Sequence, residues 1–251
     1  MNRVEWPSLA RVLAWILAAA FVLSAVILAI LDFVPIGTPP EQREDFIEQV
    51  LADFEHGQQL WPLDFVGSAL LALGFAALGG LGVAIGRLAD PDDGRRGLVS
   101  GAFLLAGGLG AASQLIYIGV IPTATNPEYC ECGLLAEEIM SRLMILDVTG
   151  AALTWLLNGA VVAAAVGLLA GGALGREAGM PEGWRWLSLG TAALAILVGI
   201  LSTLRLYPVD VILTVVVVGI VIPVWAVWLA IRAWTIWPSS PQLDEVTAGD
   251  G

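Results

Sequence analysis

The stretch Leu60-Trp-Pro-Leu-Asp64-Phe-Val-Gly67-Ser-Ala-Leu70 opens a long apolar run with an aspartate, and the chain repeats it. The second copy, Leu143-Met-Ile-Leu-Asp147-Val-Thr-Gly150-Ala-Ala-Leu153, keeps the frame L-x-x-L-D-x-x-G-x-A-L. A weaker third copy is Tyr207-Pro-Val-Asp210-Val-Ile-Leu-Thr214. Because internal similarity is the signature of a repeated structural unit, the three copies predict three similar units in one fold.

The composition is typical of an integral membrane protein. Hydrophobic residues make up 58% of the 251 residues and charged residues 14%, and the mean hydropathy is +0.84. A membrane-spanning helix needs about 20 apolar residues, and six runs reach that length without the alternation of barrel strands. The predicted spans lie near 12–31, 65–86, 98–121, 146–170, 187–206 and 211–231.

The repeats group these spans into helical hairpins. Pro35-Ile-Gly-Thr-Pro-Pro-Glu41 and Pro122-Thr-Ala-Thr-Asn-Pro-Glu128 share a pattern, and Ser24, Ser113 and Ser202 recur at equal spacing. Two-helix units keep one orientation, which makes the repeats parallel. We therefore predict an all-α membrane protein with six transmembrane helices as three parallel-repeat hairpins. The hairpins are predicted at about 9–88, 97–172 and 185–234 of one domain (1–237), before a disordered tail (238–251).

An additional amphipathic helix is predicted in the first external loop, over about 39–56. Thr38-Pro-Pro-Glu41 is a capping box with proline at the first helical position. An apolar face follows, opposite acidic residues; it consists of Phe46, Ile47, Val50, Leu51 and Phe54. The helix is predicted on the outer surface of the bundle or in the membrane interface. A structural lid, a gate and a partner-docking element are its alternative roles.

The arginines predict the orientation of the chain. All eleven basic residues are arginine, so no lysine is present to form a Schiff base with retinal or pyridoxal phosphate. Only Arg43, Arg142 and Arg205 fall on the side opposite the termini. The positive-inside rule then places both termini in the cytoplasm of a cell with this protein in its plasma membrane. The net charge of −12 argues against nucleic acid and anionic lipid as partners.

Glycines in the second, third and fourth spans predict close packing of helix backbones. They are Gly79, Gly80, Gly82, Gly86, Gly97, Gly101, Gly107, Gly108, Gly110, Gly167, Gly171 and Gly172. In the sixth span, Pro223 predicts a kink.

Polar side chains gather toward the predicted external end of the spans. Ionisable groups within spans usually face the bundle interior or a water-filled cavity. They predict a pocket for a small-molecule or ion ligand. Its candidate residues are Asp64, Gln114, Tyr117, Glu138, Arg142, Asp147, Thr154, Asn158, Arg205 and Asp210.

The three repeated aspartates differ in what surrounds them. Pro62 and Pro208 are suited to the first position of a helix, so Asp64 and Asp210 are predicted to cap helix starts. Asp147 lies in a continuing helical pattern and has no helix end to cap. It therefore belongs either to a structural ion-pair and hydrogen-bond network or to a ligand, ion or proton site.

Two further features bear on chemistry. Cys130 and Cys132 lie in a predicted external loop, where disulfides persist, although a bridge between residues two apart would be strained and easily reduced. They are either thiol-redox residues or loop cysteines without a redox cycle. His56, the single histidine, is predicted to be a solvated cation at the end of the external helix. No metal, cofactor or catalytic set is predicted.

In layout the chain resembles uncharacterised six-span bacterial membrane-protein families of unknown function that carry a polar external segment after the first span. The resemblance covers the topology of most of the chain, and it implies no activity and no site residues. The residues themselves favour a small permease-like or ligand-binding protein, not an enzyme, with an outward-facing polar pocket. An accessory or sensory subunit with a structural polar network is the second interpretation. An extracytoplasmic thiol-redox protein is the third.

Overall fold

The chain folds into long helices. The computed structural model describes residues 6–34, 46–88, 93–125, 136–177, 180–204 and 209–236, and no strand occurs in these segments. The helices are α1 (Trp6–Phe33), α2 (Phe46–Leu88), α3 (Arg95–Thr125), α4 (Ala136–Glu177), α5 (Glu182–Thr203), α6 (Val209–Val216) and α7 (Ile222–Ile236), with a π-helical turn (Val217–Val221) between the last two.

Six helical spans within the described residues are long and apolar enough to cross a membrane. They are Trp6–Asp32, Phe46–Arg87, Arg95–Pro122, Ile139–Arg176, Glu182–Thr203 and Ile212–Arg232. The prediction of an all-helical, multi-pass membrane protein is confirmed at this level. The arrangement as three repeated hairpins stays a prediction, and the predicted tail lies outside the described residues.

Helix α2 runs without a break from Phe46 through Pro62 to Leu88. The prediction of an external helix that ends near residue 56, with a new helix starting at Pro62, is therefore wrong; residues 39–45 lie outside the described part of the chain. A proline inside a helix removes one backbone hydrogen bond and costs about 3 kcal/mol. Membrane helices tolerate it because neighbouring groups satisfy the freed carbonyl. Asp64 consequently sits in mid-helix and caps no helix start.

The amino-terminal parts of α2 and α4 pack against each other. Helix α4 has 42 residues, which is about 63 Å at 1.5 Å per residue and roughly twice the 30 Å thickness of a bilayer core. Val50 and Phe54 of α2 are buried against Ile139 of α4 in a small apolar cluster. Through this contact, the described part of the predicted amphipathic segment packs on α4. It forms one continuous helix with the second span. We call residues 46–60 and 136–147 the projecting pair.

The main core lies between the spans. Consecutive helices pack against each other and α7 packs against α1, whereas α5 contacts α6 and α7 much less than it contacts α4. Phe103 of α3 is fully buried at the centre, and its ring lies 5.9 Å from that of Trp225 on α7. Gly82 and Gly167 leave the space that the Phe103 ring occupies. Two small residues and two large aromatic rings thus set the distances between four helices, α2, α3, α4 and α7.

The glycines of α3 fall into two kinds. A Cβ atom on Gly107 would come 2.8 Å from both Cα and N of Gly79, so the backbones of α2 and α3 touch there. A Cβ atom on Gly97, Gly101 or Gly108 would meet nothing within 4 Å. The predicted close approach is wrong for these three glycines, which face open space.

The sixth span contains a π-helical turn at Val217–Val221. The N–H of Ile222 donates to the carbonyl of Val217, five residues back. Pro223 explains the turn, because proline has no N–H and its ring clashes with the carbonyl four residues earlier. A wider turn relieves that clash. The irregularity predicted at Pro223 is therefore a π turn directly before it.

One end of the bundle collects most of the described arginines. The guanidinium of Arg87, at the end of α2, lies 5.9 Å from the ring of Trp6 at the start of α1. At the start of α3, Asp93 accepts hydrogen bonds from the Arg95 backbone N–H at 2.9 Å and its guanidinium at 2.8 Å. The hydrogen bonds from the guanidinium hold the pKa of Asp93 below its usual value. We call this the arginine end; it also includes Arg11, Arg96, Arg176, Arg185 and Arg232.

Candidate functional site

A carboxylate and a phenol meet between α2 and α3, toward the end opposite the arginine end. The hydroxyl of Tyr117 donates a hydrogen bond to Asp64, and both side chains are partly buried. Asp64 reaches this position because α2 continues through Pro62. The two residues were both predicted for a pocket, but the hydrogen bond between them was not. We call them the carboxylate–tyrosine pair.

Aromatic rings line one side of the pair. The ring of Trp61 lies 6.1 Å from that of Tyr117 and 6.2 Å from that of Phe65. Trp61 and Phe65 are one helical turn apart, so they share a side of α2. Amphipathic rings such as these concentrate where the apolar core of a membrane meets the polar headgroups. The pair therefore has surroundings typical of a membrane interface.

Helix α1 closes the other side. The hydroxyl of Ser24 donates to the carbonyl oxygen of Gly67 at 3.1 Å, and a Cβ atom on Gly67 would stand 3.0 Å from Ile27. Asp32, on the same helix, is close enough to interact electrostatically with Asp64. Two neighbouring carboxylates repel each other, and a cation or a proton relieves that repulsion. The negative charge of Asp64 is thus partly buried beside a phenol and near a second carboxylate.

A second polar contact joins α4 to α5. The amide of Asn158 donates to the hydroxyl of Thr203 at 2.8 Å, and this hydroxyl donates to the carbonyl of Gly199 at 2.7 Å. A Cβ atom on Gly199 would lie 3.6 Å from the side-chain oxygen (Oδ1) of Asn158. Asn158 therefore holds two helices together and is separate from the carboxylate–tyrosine pair.

The described hydrogen bonds of Thr154 and Asn158, two members of the predicted group around Asp147, do not converge on one site. Asp147 lies inside α4, as predicted, but its side chain is exposed. The hydroxyl of Thr154 donates to the carbonyl of Gly150 in its own helix at 2.9 Å, and Asn158 turns to α5. Shared helical phase placed these residues near one side of α4, whereas their actual partners lie in different directions.

The remaining candidates lie elsewhere on α3 and α4 or outside the described residues. Gln114 donates to the hydroxyl of Ser113 at 3.4 Å, and Arg142 is half-buried on α4. Two groups fall outside the description: the side chains of Glu138 and Asp210, and the whole of Cys130, Cys132 and Arg205. Their predicted roles stay predictions.

The single histidine differs from its prediction. His56 lies within α2 and not at a helix end, and its Nδ1 atom is buried without a hydrogen-bond partner among the described residues. The prediction that His56 ends a helix is therefore wrong, and one of its ring nitrogens is shielded from solvent. Within the described segments no group of three His, Cys, Asp or Glu side chains is arranged to hold a metal ion.

Sequence reasoning missed two contributors to the site. The spacing of Trp61 and Phe65, one turn apart beside Asp64, is a signal that would have placed aromatic rings there. Ser24 was noted only as a repeated serine, yet it bonds to α2, whereas the equivalent Ser113 donates to Gly110 within its own helix at 2.9 Å. No family model, curated protein or solved structure matches the chain.

Proposed function

We propose that the chain is a small permease-like membrane protein that binds a cation at an outward-facing polar pocket built on the carboxylate–tyrosine pair. The observation that carries the proposal is a mid-helix carboxylate, Asp64, in a membrane span. Placing an aspartate in a bilayer centre costs about 2.5–3.5 kcal/mol, and less near the interface. Asp64 caps no helix, so capping does not offset this cost. Binding a cation supplies a reason for it.

Each residue of the pocket has a part in this proposal. Asp64 supplies the negative charge, and the hydrogen bond from Tyr117 holds its carboxylate in place. The rings of Trp61 and Tyr117 offer faces that attract an organic cation, by about 0.5–2 kcal/mol for a ring. A proton would satisfy the same carboxylate, so proton movement belongs to the same chemistry.

Movement is supported by unequal packing. Helix α5 packs on α4 but only loosely on α6 and α7, and the π turn at Val217–Val221 interrupts the sixth span. Transporters commonly combine broken helices with motion between groups of helices. In the proposed protein, α5 moves with α4, α6 and α7 move with α1, and the two groups separate at the loose contact between α5 and the last two helices.

The proposed orientation has both termini in the cytoplasm and the carboxylate–tyrosine pair near the outer face of the plasma membrane. Its support is the arginine end, because cytoplasmic segments are enriched in basic residues. Carboxyl-terminal fusions to green fluorescent protein and to alkaline phosphatase test it. We expect fluorescence without phosphatase activity; the opposite pattern would reverse the orientation.

Binding is tested on the purified protein in proteoliposomes with sodium, potassium and tetramethylammonium ions, and with an imposed proton gradient. A bound cation at 100 times its Kd should raise the free energy of unfolding by about 2.7 kcal/mol. We expect Asp64→Asn to abolish both this stabilisation and cation or proton flux. Asp147→Asn, the same change at an exposed aspartate, is the control and should retain both. Wild-type behaviour of Asp64→Asn would rule the proposal out.

A second candidate function, an accessory membrane subunit, is favoured by one surface. Along α4, Met140 and Met144 are 57% and 70% exposed, and both lie in the projecting pair. An apolar surface of this kind suits contact with another protein. Stable co-purification with one defined membrane protein, together with no cation flux, would favour this function over transport.

A further inference from the structure

A groove of about 700 Å³ lies between α3 and α4. Gly97 and Gly101 of α3 lie on its floor, and Leu105, Trp155 and Val162 stand at its rim. These three rim side chains are 55%, 70% and 57% exposed. Because both helices are membrane spans, exposed apolar side chains on them face lipid. The groove therefore opens into the hydrocarbon region.

The depth of the groove comes from its glycines. A Cβ atom on Gly97 or Gly101 would meet nothing within 4 Å, so neither glycine is needed for contact between helices. Glycine in a helix interior costs about 1 kcal/mol relative to alanine. At Gly97 and Gly101 this cost is not offset by closer packing within the chain. The missing side chains leave space that an outside molecule can fill.

The dimensions favour a hydrocarbon chain as the occupant. The lining of α3 extends from Gly97 to Leu109, about 18 Å at 1.5 Å per residue. One leaflet of a bilayer core is about 15 Å thick, half of roughly 30 Å, while a helix crossing the membrane needs the full thickness. Leu109 narrows the space near Gly159, whose Cβ atom would lie only 3.1 Å from it. The groove is thus too short for a transmembrane helix.

We propose that the groove is a binding site for one acyl chain of a membrane phospholipid, retained beyond the exchange time of bulk lipid. Among the described residues no charged side chain lines the groove, and the amide of its polar member, Asn158, donates to Thr203 on α5. This lining suits hydrocarbon. Its volume falls in the range of about 300–1,000 Å³ that is usual for small-molecule sites. The headgroup then lies at the arginine end, near the first turn of α3. This site is separate from the carboxylate–tyrosine pair.

Photolabelling tests the proposal. The full chain is placed in nanodiscs containing a phosphatidylethanolamine with a diazirine on its acyl chain, irradiated and digested, and labelled peptides are counted by mass spectrometry. We expect labels concentrated on 97–109 and 155–166. Gly101→Leu fills the groove and should lower this labelling about tenfold, equivalent to about 1.4 kcal/mol of binding.

Gly108→Leu is the matched control. Gly108 is also an exposed glycine of α3 with nothing within 4 Å of its Cβ position, but it does not line the groove. Leucine favours helix more than glycine does, so both variants should fold, and circular dichroism checks this. Equal labelling of the two variants, or labels spread evenly over all spans, would overturn the proposal.

Discussion

Gly107 of α3 lies so close to Gly79 of α2 that no side chain fits between the two backbones. A Cβ atom on Gly107 would stand 2.8 Å from the Cα atom of Gly79, while one on the next residue, Gly108, would meet nothing within 4 Å. Backbone atoms cannot turn aside as the end of a flexible side chain can. Of these two adjacent glycines, Gly107 has no room for a side chain and Gly108 has ample room.

Alanine substitution at these two positions should give opposite results. Gly107→Ala should destabilise the bundle by about 1–3 kcal/mol, because the added methyl group overpacks the contact. Gly108→Ala should be neutral or stabilise by up to about 1 kcal/mol, because alanine favours helix. Thermal unfolding of both variants in one detergent measures the difference. Equal midpoints would contradict the contact between the backbones.

The carboxylate–tyrosine pair should behave as a coupled unit. In a double-mutant cycle, Asp64→Leu and Tyr117→Phe should show an interaction energy of about 0.5–3 kcal/mol, because each removes the same hydrogen bond. In a control cycle, Thr154→Val takes the place of Tyr117→Phe beside the same Asp64 substitution. The Thr154 hydroxyl bonds within its own helix, so the two effects in this cycle should be additive. Thermal unfolding in detergent supplies the free energies. Additive effects of the first pair would mean that the hydrogen bond contributes nothing.

A buried tryptophan pair should make Ser188 costly to remove. The indole N–H of Trp225 donates to the Ser188 hydroxyl at 2.9 Å, and its ring stacks on that of Trp184 at 5.7 Å. Ser188→Ala leaves the N–H unsatisfied and should cost about 1–3 kcal/mol. Adding Trp225→Phe removes the donor, so the double variant should lose less than the sum of the singles. A simple sum in thermal unfolding would argue against the hydrogen bond.

Acid should weaken the start of α3. The Arg95 guanidinium lowers the pKa of Asp93 in the folded protein, so this carboxylate stabilises the fold above its unfolded pKa of about 3.9. That contribution is lost as the pH falls through the lower folded pKa. Unfolding midpoints of wild type and Asp93→Asn, measured between pH 6 and pH 2, should differ at the upper end and converge at the lower end. A constant difference would show that the ion pair does not titrate.

The state of the two cysteines can be tested separately. Alkylation with and without reductant, followed by mass measurement, shows whether Cys130 and Cys132 are bridged. The strain in so small a ring predicts free thiols or an easily reduced bond. Thiols that remain free in living cells would remove the thiol-redox interpretation.

Apolar run length was enough to predict six spans, because the thickness of a bilayer constrains helix length directly. It was not enough to locate the start of the second helix. Pro62 fits the first position of a helix by local rules, but residues 46–60 gain a partner in the start of α4, far away in sequence. Local sequence carries no record of that partner. The same error assigned Asp64 to capping and left Asp147 as the exceptional aspartate.

The glycines show a second property that the sequence alone does not predict. Gly107 and Gly108 are identical in type and adjacent, and a helical wheel separates them by about 100°. Which direction contains a neighbouring backbone depends on the whole bundle. Likewise Asp64 and Tyr117 were both recognisable as polar residues in spans, whereas their contact required the relative alignment of α2 and α3.

The π turn also changes how the last span should be aligned with any other helix. Val217 and Trp225 are both buried, at 3% and 0% exposure. Eight residues of straight α-helix would place them about 80° apart, whereas one residue absorbed by the wider turn reduces this to about 20°. A helical wheel drawn without a break across Val217–Val221 therefore assigns the residues of α6 to the wrong face of the helix relative to those of α7. Deleting one residue of that turn would restore a regular α-helix and leave α6 in the same phase relative to α7, without shortening either.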